Sequence, residues 1–308
     1  MELTLKNIRK TFGDKTVLDD INITAGAGSA FGLLGRNGAG KTTTIRIIMG
    51  VFPADSGEVL IDGMRVSKSG ARLGYLPEER GLYPKQKIIS QMVYIGQLRG
   101  LTKHDATQNA MRWLARLEMN QHSEDKLMTL SKGNQQKIQL ATALIDNPDI
   151  VILDEPFSGL DPVNARMLKD VVNELISEGR IVIFSSHQMS YVEEFCDTVA
   201  IMGTGKILLE GKLKEIKRSY PRLKVEIRLA SVEAAQKLGE RMGGAWLTEY
   251  VDTFKLVDDT ITVTMKNSEC RDPLLKAIVN GQAPVEMFTV MEPTLEEIFV
   301  EKAGAVNA

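Results

Sequence analysis

The feature that most constrains the fold is a glycine-rich segment that follows a short apolar run. Residues 31–34 are Phe-Gly-Leu-Leu, and residues 35–42 follow with the spacing G-x-x-x-x-G-K-[ST], ahead of a helical pattern. This spacing predicts a strand, a phosphate-binding loop and a helix, because glycines let backbone N–H groups wrap closely around phosphate oxygens. A chance glycine-rich turn is the alternative, and the flanking strand and helix patterns argue against it.

The phosphate loop, defined as residues 35–43, contains two polar side chains with predicted roles. Lys41 is placed to reach the β- and γ-phosphate oxygens, and the Thr42 hydroxyl is placed to ligate Mg²⁺. The nucleotide-binding residues that the loop predicts are Gly35, Asn37, Gly38, Ala39, Gly40, Lys41, Thr42 and Thr43. The expected ligands are therefore a nucleoside triphosphate and Mg²⁺.

A second apolar run, residues 150–153, ends in Asp154 and Glu155. Its unbroken apolar character is typical of a strand buried on both faces of a parallel sheet. At the end of such a strand Asp154 can hold Mg²⁺, usually through water, and Glu155 can act as a general base on the attacking water. An acidic turn that merely closes a strand is the alternative, and the sequence Pro-Phe-Ser-Gly-Leu-Asp at residues 156–161 argues against it.

A third apolar run, residues 181–184, leads into Ser-Ser-His and places His187 just after a predicted strand. At the carboxyl end of a parallel strand, its imidazole can hydrogen-bond the γ-phosphate and orient the water. A single histidine at a strand end is more often structural. The position of His187 after the other motifs favours a catalytic role.

The signature segment, residues 130–136, reads Leu-Ser-Lys-Gly-Asn-Gln-Gln and precedes another helical pattern. A hydroxyl and a glycine just before a helix offer a side-chain donor and free backbone N–H groups, which suit an anionic phosphate. Two such surfaces of one small domain cannot easily touch the same nucleotide. We therefore expect two copies of the chain to share each nucleotide.

In their order along the chain, these motifs resemble the ATP-binding subunits of ABC transporters over roughly residues 1–211. The resemblance implies an α/β P-loop NTPase of the ABC type, with an antiparallel β side sheet and an inserted helical lobe, plus a small C-terminal α+β domain. It also implies a head-to-tail dimer in which Ser131 and Gly133 of one copy contact the γ-phosphate of ATP held by the other. Closure on ATP and opening after hydrolysis would drive a separate integral membrane permease, docked near residues 83–101.

The resemblance assigns Phe12 to stacking on adenine, Asp161 to nucleotide binding and Glu78 to the metal. Glu78 stands where the family often has glutamine, so it adds negative charge beside the phosphates. Lys132 stands at a position that is usually glycine and reduces the backbone freedom of the signature segment. Both variants resemble those of exporter-type subunits with an added C-terminal domain.

Composition limits the class and the location of the protein. The net charge is −2 and no dense Lys/Arg block occurs, which argues against nucleic acid as the main partner. The two cysteines are isolated, which indicates neither a zinc site nor a disulfide framework and fits a reducing cytosol. No apolar run approaches the roughly 20 residues that cross a bilayer, and no signal peptide is evident. We expect a cytoplasmic protein, peripheral on the inner face of the cell membrane.

The length of 308 residues predicts two domains. We expect the ATP-binding cassette at residues 1–218, with its helical lobe at about 85–140, and an α+β accessory domain at residues 219–308. The accessory domain shows strand patterns at residues 223–229, 260–265 and 285–290, helical patterns at 231–242 and 272–280, and a capped final helix after Thr294. It resembles the domain appended to drug, peptide or sodium exporter ATPases. It has no candidate nucleophile, so its expected role is packing, dimer support or regulation.

The sequence therefore predicts an ATP hydrolase that drives export, with Glu155, His187 and Lys41 as catalytic residues. Two alternatives stay open. One is a nucleotide-gated regulatory ABC ATPase with little turnover, because Glu78 and Lys132 depart from the common pattern. The other is a soluble, non-transport ABC ATPase. DNA-acting relatives usually have a long coiled-coil insertion or zinc motifs, and this sequence shows no such insertion or motif. Ribosome-acting relatives normally have two cassettes in tandem, whereas this sequence has one.

Overall fold

The computed structural model describes residues 1–79, 81–243 and 247–304. The strands in these ranges are β1 (Glu2–Phe12), β2 (Lys15–Gly26), β3 (Ser29–Gly35), β4 (Ser56–Ile61), β5 (Met64–Arg65), β6 (Leu73–Leu76), β7 (Ile150–Asp154), β8 (Ile181–Ser185), β9 (Cys196–Gly203), β10 (Lys206–Lys212), β11 (Lys224–Leu229), β12 (Val251–Val257), β13 (Thr260–Met265) and β14 (Val285–Val290). The helices are α1 (Lys41–Ile48), α2 (Val66–Ser69), α3 (Ile88–Leu98), α4 (Lys103–Arg116), α5 (Lys132–Ala143), α6 (Pro162–Ser177), α7 (Met189–Phe195), α8 (Leu213–Ser219), α9 (Val232–Gly243), α10 (Arg271–Asn280) and α11 (Leu295–Gly304). Short 3₁₀ turns lie at Asn120–His122, Leu127–Thr129 and Ser268–Cys270.

The chain forms two compact units, one of Met1–Leu213 together with residues 302–304, and one of Lys214–Glu301. The first contains a six-stranded sheet in the order β10-β9-β3-β8-β7-β6, in which all pairs from β9 to β6 are parallel. Every residue of β7 and β8 is buried, which confirms the strands predicted from the two apolar runs. Because the strands are parallel, the residues after β3, β7 and β8 emerge at one edge of the sheet.

A second sheet in this unit is antiparallel, in the order β2-β1-β4-β5, and matches the side sheet that the resemblance implies. The end of β1 pairs with the start of β2, where Phe12 lies opposite Lys15. Apolar side chains of both sheets and of α1 share one core that includes Leu5, Phe31 and Ile45. This packing fixes the β1–β2 hairpin relative to the loop that joins β3 to α1.

The inserted helical lobe contains α3, α4 and α5. The side chain of Thr102 caps α4 by accepting from the backbone N–H of Asp105 at 3.1 Å. Buried Trp113 donates its indole N–H to the carbonyl of Leu144 at 3.0 Å, which ties α4 to the segment after α5. The lobe therefore carries the signature segment at the start of α5 on a defined scaffold.

The second unit has the element order β11-α9-β12-β13-α10-β14-α11 and one antiparallel sheet in the order β12-β13-β11-β14. This is the split βαβ, or ferredoxin-like, arrangement. The predicted strands and helices are confirmed, but β12 was not predicted. At the start of α11, Thr294 and Glu297 form the predicted capping box, with backbone-to-side-chain hydrogen bonds of 3.0 and 3.2 Å. In the ranges that the structure describes, no helix is both long and apolar enough to cross a bilayer.

Candidate functional site

The phosphate loop has a backbone shape that depends on its glycines. Gly38 and Gly40 have φ angles of +83° and +108°, in the left-handed region that glycine adopts at low cost. A Cβ atom on Gly40 would lie 2.6 Å from a methyl group of Leu18, and one on Gly35 would lie 2.9 Å from the carbonyl oxygen of Met202. The loop can therefore keep this conformation and its packing against Leu18 and Met202 only with glycine at these positions.

Lys41 opens α1 and its side chain is buried. Its ammonium group donates to the carbonyl of Gly35 at 2.6 Å, so it lies back along the loop. The hydroxyl of Thr44 bonds to the carbonyl of Gly40 at 3.0 Å and holds the first turn of the helix. Phosphate oxygens that enter the loop would offer the Lys41 ammonium a charged acceptor in place of a neutral carbonyl.

The loop forms one side of a cavity of about 380 Å³. The described residues that line it are Lys15, Val17, residues 36–43, Glu78, Asp154 and Glu155. The cavity therefore brings together the loop and the three acidic residues that the sequence analysis placed near the phosphates. Sequence reasoning missed Lys15, Val17 and Arg36. Their spacing of two along β2 predicts that Lys15 and Val17 share one face of the strand. The sequence does not indicate that this face borders the phosphate cavity.

Asp154 ends β7 and is only 2% exposed. Burial raises the pKa of its carboxyl group, and the nearby charges of Glu78 and Glu155 act in the same direction. The hydroxyl of Tyr75 donates to Oδ2 of Asp154 at 3.4 Å, and burial together with the charge of Asp154 raises the pKa of Tyr75 to about 12. The structure thus concentrates carboxyl groups in a place where a cation would stabilise their charged forms.

The donor set in this cavity suits Mg²⁺, because that ion prefers hard oxygen ligands. The Thr42 hydroxyl and the carboxyl groups of Glu78 and Asp154 line the same cavity. A divalent cation bound here would relieve the crowding of negative charge around Asp154. These three residues are therefore chemically fit to hold the metal.

Glu155 follows Asp154 with a left-handed φ of +48°, and its backbone N–H donates to the carbonyl of Ser185 at 2.8 Å. Its buried carboxylate has three polar contacts with the loop after β8. Nδ1 of His187 lies 2.7 Å from Oε1, the backbone N–H of His187 donates to Oε1 at 2.9 Å, and the Ser186 hydroxyl donates to Oε2 at 3.2 Å. The ring of His187 is 58% exposed. The two candidate catalytic side chains are thus in direct contact.

The signature segment lies elsewhere. Ser131 caps α5 by accepting from the backbone N–H of Asn134 at 3.3 Å. Gly133 lies against Asn164 of α6, since a Cβ atom on Gly133 would be 2.5 Å from its Nδ2 atom. The described residues around the phosphate cavity include neither Ser131 nor Gly133.

Asp161 is the N-cap of α6. Its Oδ1 atom accepts from the backbone N–H groups of Val163 and Asn164, both at 3.0 Å, and its Oδ2 atom lies 2.5 Å from Nδ2 of Asn164. The hydrogen bond from the Asn164 backbone is the main cause that lowers the pKa of Asp161. The N-terminus of α6 therefore packs against the start of α5, and Asp161 does not line the phosphate cavity of its own chain.

Phe12 lies at the end of β1 and is 49% exposed. Its ring meets Phe52 edge-on with centroids 5.6 Å apart, and the ammonium of Lys10 lies 5.4 Å from its centroid. Phe12 is not among the described residues that line the phosphate cavity, although Lys15 of the same hairpin is. An exposed ring beside the cavity is available to stack on a flat ligand.

Two family models match the chain. The model for the ABC transporter domain matches residues 18–158. The model for the C-terminal domain of DrrA1-3-like ATP-binding proteins matches residues 211–303. The first contains the phosphate loop, the signature segment, Asp154 and Glu155.

The chain is similar to known ATP-binding proteins in sequence and in structure. An uncharacterized ABC transporter ATP-binding protein, YhaQ of Bacillus subtilis, is 40% identical over 305 residues and covers 99% of each chain. The Nod factor export ATP-binding protein I of Cupriavidus metallidurans is 29% identical over 287 residues, which are 92% of this chain and 88% of the relative. A solved ATP-binding subunit of an ABC transporter superposes with a TM-score of 0.65 at 27% identity, over 71% of this chain and 93% of its own.

Proposed function

Because the chain belongs to the family of ABC transporter ATP-binding proteins, we propose that two copies hydrolyse ATP between them and drive export through a separate membrane permease. The protein is an ATP-binding subunit of an ABC transporter, and transport-coupled ATP hydrolysis is its activity.

The observation that carries the proposal is the separation of the two phosphate-binding surfaces. The phosphate loop lines one cavity, whereas Ser131 and Gly133 lie at the start of α5 against Asp161 and Asn164. The free N–H groups at this helix start suit an anion, yet the described cavity lining of the same chain does not reach them. A second copy in head-to-tail orientation would supply the signature segment to the γ-phosphate.

Lys132, which stands where the family usually has glycine, is compatible with phosphate binding by the signature segment. Lys132 is the first residue of α5, and it has no positive φ angle. A right-handed helical conformation is accessible to any L-residue, so lysine costs little at this position. Gly133, by contrast, needs the absence of a side chain because Asn164 occupies the space beside it.

In the proposed reaction the triphosphate enters the loop and Lys41 shifts its ammonium from the carbonyl of Gly35 to the β- and γ-phosphate oxygens. Mg²⁺, held by Thr42, Asp154 and Glu78, would neutralise phosphate charge when bound. Glu155 accepts a proton from the attacking water while the oxygen of that water bonds to the γ-phosphorus. At the same time the bond from the γ-phosphorus to the bridging oxygen breaks, and ADP leaves. The backbone N–H of His187 orients Glu155, and the imidazole of His187 hydrogen-bonds the γ-phosphate.

The proposed contact with the permease lies on the helical lobe. Tyr94 and Leu98 stand one turn apart on α3, so they share a face, and they are 52% and 69% exposed. Tyr83 and Met128 add exposed apolar side chains from the same lobe. Apolar groups exposed in this way favour a protein partner. Docking there would hold the subunit at the inner face of the membrane.

A mixing experiment tests the shared site. Lys41→Ala disables the phosphate loop and Ser131→Arg disables the signature segment, so each homodimer has only defective sites. A mixed dimer would have one site with both defects and one intact site. For random mixing of two independent sites, we expect turnover to recover to about a quarter of the wild-type value. If the loop and the signature segment acted within one chain, the mixture would stay as inactive as either variant alone.

A further inference from the structure

Lys15 is a lysine in the phosphate cavity that the reaction above does not use. It is the first residue of β2, directly opposite Phe12, and it follows the turn at Gly13. Lys15 and Val17 are two residues apart on the strand, so they point to the same face, and both line the cavity. The start of β2 therefore presents a cation and an apolar group to whatever fills the cavity.

We infer that Lys15 binds the α-phosphate of the nucleotide, an inference that rests on the proposed function. The phosphate loop and Lys41 serve the β- and γ-phosphates, and Phe12 is the proposed platform for adenine. A nucleotide that joins these two positions must carry its ribose and α-phosphate past the start of β2. Val17 then contacts the sugar and the Lys15 ammonium meets the α-phosphate oxygens.

The surroundings of Lys15 leave its charge available for this contact. Within the described residues the side chain of Lys15 makes no hydrogen bond or ion pair. The neighbouring Lys10 differs, because its ammonium pairs with Asp55 at 2.8 Å and lies over the rings of Phe12 and Phe52. An unpaired ammonium beside a cavity built for phosphates gains a charge-assisted hydrogen bond when the ligand arrives.

Among the described lining residues, Arg36 is the cation that remains besides Lys15 and Lys41, and it belongs to the phosphate loop itself. It precedes the turn at Gly38 and follows β3 directly, so it is part of the loop that serves the terminal phosphates. Lys15 approaches from the opposite sheet, at the hairpin that carries Phe12. This position favours the phosphate nearest adenosine over the terminal ones.

The test measures equilibrium binding of labelled ADP and its displacement by ATP, AMP and adenosine, in EDTA and again with Mg²⁺. We compare wild type, Lys15→Ala, Lys15→Arg and, as a matched control, Lys6→Ala, which removes an exposed lysine of β1 that does not line the cavity. Lys15→Ala should weaken ADP, ATP and AMP by similar factors of about 3 to 10, and added salt should shrink the difference. Lys15→Arg should retain most of the affinity, and adenosine binding should not change.

Three outcomes would overturn the inference. The first is that Lys15→Ala has unchanged affinity for all nucleotides. The second is a loss of affinity confined to ATP, which would place Lys15 at the γ-phosphate. The third is an equal loss of affinity for adenosine, which would place Lys15 at the base. Failure of the proposed function looks different. In that case wild-type protein would not bind ATP, or Lys41→Ala would bind it as well as wild type does.

Discussion

Nδ1 of His187 lies 2.7 Å from Oε1 of Glu155, and the backbone N–H of the same histidine donates to that oxygen at 2.9 Å. Glu155 is buried and its backbone has a left-handed φ of +48°. A conformation that is uncommon for glutamate persists here because its own N–H is bonded to Ser185 and its carboxylate to Ser186 and His187. The proposed base is therefore oriented by the strand that neighbours its own.

Glu155→Gln should preserve ATP binding and lower the rate of hydrolysis by about 100-fold or more. The amide keeps the size and most hydrogen-bond partners of the carboxylate but cannot accept the proton of water. ATP would then remain bound, and a dimer that is transient in the wild type should become visible by size-exclusion chromatography with ATP. Wild-type steady-state turnover in this variant would remove Glu155 from its proposed role.

His187→Ala should lower kcat more than it changes the affinity for ATP, because His187 acts on Glu155 and the γ-phosphate and not on adenine. Residues that act as one unit lose activity non-additively. The double variant of Glu155→Gln with His187→Ala should therefore lose less than about tenfold beyond Glu155→Gln alone. The comparison needs single-turnover rates for all four proteins. Fully additive losses would show that the 2.7 Å contact does not couple the two residues in the reaction.

Local patterns predicted the elements that surround the site because those elements are regular and buried. The apolar runs before Gly35, Asp154 and Ser185 became β3, β7 and β8. The alternating stretches after residue 222 became β11, β13 and β14. β12 is an edge strand of its sheet, and its exposed Asp, Thr and Lys side chains conceal the alternation.

Two relationships at the site depend on packing that no local pattern contains. Glu155 meets His187 because Asp154 and Ser185 are partners in the register of β7 and β8. Lys15 faces the phosphate cavity because β2 belongs to a different sheet that shares its core with the loop-bearing one. Strand order, register and sheet stacking are set by contacts between residues distant in sequence, so the residue types alone did not predict these contacts.

The stability of the accessory domain should depend on pH through Glu297. Burial acts to raise the pKa of Glu297, but hydrogen bonds from Lys224 and from the backbone of Thr294 outweigh it and lower the pKa below its ordinary value of 4.5. A carboxyl group with a lowered pKa stabilises the fold above its unfolded pKa and loses that effect as pH falls through the folded value.

Glu297→Gln should therefore reduce the urea midpoint of unfolding at neutral pH and make little difference in acid, where wild-type Glu297 is protonated. Circular dichroism at several pH values measures the effect. Glu296→Gln is a matched control, because Glu296 is exposed on the same turn of α11. Parallel pH curves for wild type and Glu297→Gln would contradict the assignment.

Gly133→Ala should disturb the signature segment from within the chain, before any dimer forms. The added methyl group would lie 2.5 Å from Nδ2 of Asn164 and 3.5 Å from Oδ2 of Asp161, so Asn164 must move and its contact with Asp161 is lost. Loss of this hydrogen bond should cost about 1 kcal/mol of folding free energy. Turnover should fall, while equilibrium binding of ATP to the phosphate loop should stay near wild type.

A second substitution distinguishes this local clash from a lost contact with the partner copy. Asn164→Ala removes the atom that the new methyl group would strike, so Gly133→Ala should lower thermal stability less in the Asn164→Ala background than in the wild type. If Gly133→Ala also leaves turnover unchanged in that background, Gly133 is needed for its fit against α6. If stability is unaffected there but turnover still falls, the space beside Gly133 is needed by the nucleotide that the second copy holds, because an intact fold alone would then be insufficient for hydrolysis.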